Sequence, residues 1–222
     1  MNASLHPASA AVFAILLSIA GIACPLQAQP IFKNSVVSND IDFIHGDDPA
    51  PACEVVNAGT GRRELPGRQG RGLVADGAFL FALEYADKTT VKIWADPDFQ
   101  TPEQAAESVL PVSRAIGKLP SAMRKKLSHV VINAGDGTAF AEDLAHFFVL
   151  YADNIRKRVA THDLEETVFH EAVHATLEAD HAANPEWIAA QQKDAGFITE
   201  YAAKLPQKED LPESALFAYR LL

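Results

Sequence analysis

Apolar and polar positions alternate over residues 89–94, where Val91 and Ile93 flank Lys92, and this period of two predicts a half-buried strand. Residues 78–85 read as a partner strand, with Ala86-Asp87-Lys88 fitting a tight turn between the two. Pro97 and Asp98 close the pair. The period then lengthens. Ala105, Val109, Val112 and Ile116 recur at helical spacing over residues 101–119, behind a start signal of Thr101, Pro102, Glu103 and Gln104. Pro111 is expected to kink or divide that helix. Strands are predicted again at 129–132, ended by Asn133-Ala134-Gly135-Asp136-Gly137, and at 147–151. Asp163 and Glu166 form a capping box that opens a helix over about 164–182. Asn184-Pro185-Glu186 restarts a helix to about 203, and beyond Pro206 a last helix takes 209–222. There is no internal repeat. A small sheet followed by helices predicts an α+β domain over residues 76–222.

Residues 29–75 lack such periods. Gly59, Gly61, Pro66, Gly67, Gly70 and Gly72 stand among Arg62, Arg63, Arg68 and Arg71. This composition predicts an irregular segment with one short strand near 41–44. The arginines read as a solvated loop, with an anion patch as the other reading.

The N-terminus carries an address. Residues 10–23 form an apolar run of 14 residues, within signal-peptide length and short for a membrane span. Pro25 and small residues follow, placing cleavage after Ala28 and the signal over residues 1–28. The protein is then secreted or periplasmic, with no stable membrane insertion once the signal is removed. No Lys or Arg precedes Lys33, and Leu26 stands where a small residue is usual. Acylation at Cys24 and an uncleaved anchor are the alternatives. Without the signal, Cys53 is the only cysteine, which leaves no intramolecular disulfide. The net charge of −10, from 19 basic and 29 acidic residues, argues against nucleic acid or an anionic membrane as partner.

The chemistry concentrates in His170-Glu171-Ala172-Val173-His174. Two histidines four apart on a helix share one face, so both can reach one zinc ion, and the glutamate between them can act on a metal-activated water. This pattern points to a zinc metallohydrolase, most naturally a peptidase. A catalytic zinc needs a third protein ligand. Asp180 and His181 lie downstream, but residues 175–183 hold no Gly or Pro, so the helix should continue and carry Asp180 about 9 Å along the axis from His174. Glu209 and Glu213 are the other candidates. Four apart near a helix start, one can bind zinc and the other can hold the far ring nitrogen of a ligand histidine. Asp210 is the local alternative. Pro212 requires that helix to begin at about Glu209 and no earlier. His45, His129, His146 and His162 are scattered and read as structural or surface residues.

Together, His170-Glu171-Ala172-Val173-His174, Phe197-Ile198-Thr199-Glu200-Tyr201-Ala202 and Glu209-Asp210-Leu211-Pro212-Glu213-Ser214 resemble the catalytic domain of anthrax toxin lethal factor-like metallopeptidases, which are gluzincins. The resemblance covers residues 128–222. It implies a zincin-like fold, zinc held by His170, His174 and Glu209, Glu171 as general base, Tyr201 assisting the transition state, and Glu213 holding a ligand histidine. The expected activity is zinc-dependent endoproteolysis of a peptide or protein substrate. The alternative is a zinc-binding zincin-fold module without turnover, against which the retained Glu171 argues. The strand at 147–151 is a candidate to pair with extended substrate.

Overall fold

The computed structural model describes residues 28–38 and 42–221, so nearly all of the expected signal segment lies outside the described residues. Six strands form one mixed sheet: β1 (Cys53–Glu64), β2 (Val74–Tyr85), β3 (Thr90–Ala95), β4 (His129–Asn133), β5 (Phe140–Glu142) and β6 (Phe147–Tyr151). Their spatial order is β1-β2-β3-β4-β6-β5. β1, β2 and β3 pair antiparallel, β3, β4 and β6 pair parallel, and β5 closes the edge antiparallel to β6. The parallel step from β3 to β4 needs a crossover, which α1 (Pro102–Gly117) and α2 (Ser121–Lys126) supply.

The side-chain period of two sorts each strand between the faces. Val91, Ile93, Val130, Ile132, Phe148 and Leu150 belong to the main core with Val109, Val112 and Ile116 of α1. Val131, Val149 and Tyr151 face the other way, into a smaller cluster with Leu65, Ala75 and Ala78. The main core is completed by α3 (Ala152–Thr161) and by α4 (Leu164–Val173), whose Val168, Phe169, Ala172 and Val173 are buried. A π-helical turn, His174–Glu178, and α5 (Ala179–His181) prolong α4. Then come α6 (Pro185–Lys193), α7 (Glu200–Lys204) and α8 (Pro206–Leu221). The molecule is α+β. Among the described residues, no helix is long and apolar enough to cross a membrane.

Several local expectations hold for the reasons given. The Thr101 side chain accepts from the Gln104 amide and Asn184 accepts from that of Glu186, each capping a helix with proline in its first turn. Others fail. Pro111 neither divides nor ends α1, since its missing amide deprives only the carbonyl of exposed Glu107. Asp163 precedes α4 without capping it; its carboxylate instead takes Arg158 and Thr161. Glu166, its expected partner, is fully buried and accepts the amides of Phe43 and Ile44.

The largest correction concerns residues 29–75. Residues 53–64 are a strand paired with β2, with breaks in register between Asn57 and Thr60 and between Gly61 and Arg63; Cys53, Val55, Gly61 and Arg63 are among its half-buried positions. The short strand near 41–44 does not form over 42–44; residue 41 lies outside the described residues. Residues 28–38 are not a loose tail either. Phe32 forms a parallel bridge with Thr199, and Val36 is fully buried.

Candidate metal centre

α4 and α8 cross at the motif, each contributing one face of buried polar residues. From α4 come His170 and Glu171, with His174 opening the π-helical turn; from α8 come Glu209 and Glu213. All five are buried. His170 Nε2, His174 Nε2 and Glu209 Oε2 converge: the nitrogens are 3.2 Å apart and each is 3.3 Å from the oxygen. Zinc bonds of about 2.0–2.1 Å in tetrahedral geometry place ligand atoms about 3.3–3.4 Å apart. The triangle therefore fits one tetrahedral cation.

The far ring nitrogens fix the tautomers. His174 Nδ1 lies 2.6 Å from Glu178 Oε2, and His170 Nδ1 lies 3.3 Å from Glu213 Oε1. The second contact is close but poorly aligned as a hydrogen bond, leaving His170 the less firmly held of the two rings. With a proton on each Nδ1, as metal binding requires, both Nε2 atoms would face Glu209 Oε2, which is buried. Protons on the imidazoles hold these three atoms together without a metal, and a metal ion bound there would take the place of those protons. His170, His174 and Glu209 are the one group with converging ligand atoms among the described residues.

The surrounding charges favour protons or a cation on the two imidazoles. Four carboxylates, Glu171, Glu178, Glu209 and Glu213, surround two imidazoles. Burial pulls the His170 pKa down, but the carboxylates of Glu209 and Glu213 outweigh it and push it up to about 9. His174 is raised in the same way, with Glu178 and Glu209 overcoming burial. Burial would raise Glu209, yet the two imidazoles hold it well below the usual carboxylate range. Glu171 is raised by burial, which its positive neighbours only partly offset. Its Oε2 is buried without a partner. A carboxyl pushed upward beside a metal-ligand triangle is suited to taking and returning a proton.

Tyr201, the second residue of α7, is held by the Thr199 cap, whose hydroxyl accepts from the Ala202 amide. Its ring is 37% exposed and its hydroxyl neighbours Glu209; burial first, then that carboxylate, push its pKa up to about 12. Two small cavities meet here. One, of about 120 Å³, is lined by His170, Glu171, His174, Tyr201, Lys208 and Glu209. The other, of about 190 Å³, shares His170, Glu171 and Tyr201 and extends to Ser35, Val37 and Arg158. Larger hollows, near Phe197 and near His45, contain no converging ligand atoms.

All six sequence candidates thus meet in one place: His170, Glu171, His174, Tyr201, Glu209 and Glu213. The alternatives are engaged elsewhere. Asp180 is exposed and pairs with Lys126, and Asp210 accepts from Gln191 and Ser214. The helical continuation past Leu177 is what carries Asp180 away, as expected. Pro212 does not delay α8, which starts at Pro206 and takes the proline into its second turn. The strand at 147–151 is paired along its whole length by β4 and over Phe147 to Val149 by β5, so most of it is closed to a further chain. The edge strand on this side is β5, whose Phe140 and Ala141 line the smaller cavity.

Sequence reasoning missed Glu178. Its signal was present, a carboxylate four residues after His174, where one helical turn brings the two together. The π-helical turn keeps this contact, and His146 Nδ1 lies 2.8 Å from the Ala175 carbonyl within that turn. Replacing Glu178 with Ala is expected to weaken metal affinity by about 10–100-fold. A competition titration against a metal-binding dye checks this.

No protein-family model, no curated protein and no solved structure matches this chain.

Proposed function

We propose that this protein is a zinc-dependent endopeptidase of the gluzincin type with a zincin-like fold, secreted or periplasmic. One observation carries the reading. His170 Nε2, His174 Nε2 and Glu209 Oε2 stand at tetrahedral ligand spacing, beside the buried Glu171 carboxylate, whose Oε2 has no partner. The donor set of two imidazoles and one carboxylate suits zinc, and three protein ligands leave a position open for chemistry. The resemblance of the three motif segments to lethal factor-like peptidases supports the same assignment.

Zinc bound there would supply Lewis acidity and a water acidified to near neutrality. The rest falls to the chain. Glu171 takes the proton of the attacking water at its carboxylate and returns it to the leaving amine. Tyr201 donates a hydrogen bond to the carbonyl oxygen as that oxygen gains negative charge. Lys208, on the wall of the same cavity, adds positive charge near Glu171. The open edge of β5 offers backbone groups to an extended peptide, whose own amides and carbonyls complete the pairing.

The test is cleavage of a mixed peptide library by the purified protein. Hydrolysis of internal peptide bonds should stop with a chelator and return on adding zinc. A protein that binds zinc with this geometry yet cleaves no peptide at any pH would favour the non-catalytic zinc-binding module.

A further inference from the structure

The segment before the sheet reaches into the metal centre from 178 residues away in sequence. Ser35 donates its hydroxyl proton to Glu213 Oε1 at 2.5 Å, and the Val36 amide donates to Glu213 Oε2 at 3.0 Å. Both oxygens of the carboxylate facing His170 Nδ1 are thus held by two adjacent residues of one strap. Glu213 itself is fully buried, as is the Val36 side chain. The strap is fastened on both sides of this grip. Upstream, the Phe32 amide donates to the Ile198 carbonyl at 3.0 Å, and the Glu200 amide donates to the Phe32 carbonyl at 3.0 Å. Downstream, Arg158 donates to the Val37 carbonyl, and the Phe43 and Ile44 amides donate to Glu166. The upstream pairing flanks Thr199, which caps the helix bearing Tyr201 and also hydrogen-bonds Glu213.

We propose that residues 32–37 are a positioning strap for the metal centre, and that Ser35 sets metal affinity through Glu213 and His170. The inference rests on the metal-site reading above. Its physical basis is the weak point of the centre. The Glu213–His170 contact is 3.3 Å and poorly aligned, so His170 depends on how tightly the carboxylate is fixed from behind. A carboxylate oxygen accepting from Ser35 cannot rotate away without breaking that short bond. Outer hydrogen bonds of this kind orient a ligand histidine and set its basicity. Ser35 is not one of the converging ligand residues; its hydroxyl bonds Glu213, and it acts on His170 through that carboxylate.

The experiment compares wild type, Ser35→Ala and Ser35→Thr. Affinity for Zn²⁺ is measured by competition with a chromogenic chelator, and the visible spectrum of the Co²⁺-loaded protein reports ligand geometry. Ser35→Ala is expected to weaken Zn²⁺ binding by up to about 10-fold, the low end for an outer partner, because Val36 and Thr199 still hold Glu213, and to shift the Co²⁺ spectrum. Ser35→Thr, which keeps the hydroxyl, should restore both. Equal affinity and an unchanged spectrum in Ser35→Ala, with wild type binding one metal, would overturn the strap while leaving the metal site intact. Wild type that binds no metal would overturn both. If Ser35→Ala is too unstable to study, Ser35→Thr and Ser35→Cys replace it. The weaker thiol donor should then give the lower affinity, and equal affinities would count against the proposal.

Discussion

Glu171→Gln should keep its metal and lose its activity. The Glu171 oxygens are not among the three converging ligand atoms, so metal content should match wild type. Glutamine fills the same space but cannot take a proton from water. Loss of a positioned general base costs about 10²–10⁴-fold in rate. The buried carboxyl is also the group whose charge the fold disfavours, since burial raises its pKa. A group raised in this way contributes stability when protonated and loses it as pH rises through its folded pKa. A neutral amide removes that penalty, so the metal-free variant should melt no lower than wild type near neutral pH. Steady-state hydrolysis, metal content and thermal melts on one preparation check the three parts together. Equal loss of metal and activity would make Glu171 a structural residue of the site.

Glu209→Ala should bind metal far more weakly than any variant of the surrounding carboxylates. In the proposed centre Glu209 is the one anionic ligand, and it sits 3.3 Å from both imidazole nitrogens. Its loss removes both a ligand and the charge that draws a cation between two buried histidines. Altering an outer partner costs about 10–100-fold in affinity, so removing a ligand itself should exceed about 100-fold. Asp210→Asn and Asp180→Asn serve as controls, because their carboxylates point to Gln191 and Lys126 instead. Both should retain metal. Retention in Glu209→Ala with loss in Asp210→Asn would move the third ligand by one residue and require α8 to rotate.

The same residues show why parts of this molecule can be read from sequence. Periodicity and apolar runs are local properties, so β3 follows from alternation, β4 and β6 from short apolar runs bounded by turn residues, and α1 from helical spacing. The motif follows for the same reason, since one helical turn brings His170 and His174 together. Glu209 and Glu213 needed more than spacing. Two glutamates four apart are common, and they gain meaning only from the packing of α8 against α4. β1 was hidden because its glycines and arginines suit a loop, and only pairing with the long β2 makes them a strand. Glu166 was misread for a related reason. A local cap was available to it, but the buried amides of Phe43 and Ile44, from 122 to 123 residues away, claimed it instead. The strap was the least legible feature. Nothing in Ser35-Val36 signals a distant Glu213, and that contact exists only once α7 and α8 have formed the surface on which Phe32 and Val36 settle.

The most direct test of the metal centre is elemental analysis of purified wild-type protein and Glu209→Ala after dialysis against metal-free buffer. One zinc per wild-type chain, largely lost in the variant, is the expected result. No stoichiometric zinc in wild type, even after incubation with the metal, would contradict the assignment and leave the convergence of His170, His174 and Glu209 without a ligand to explain it.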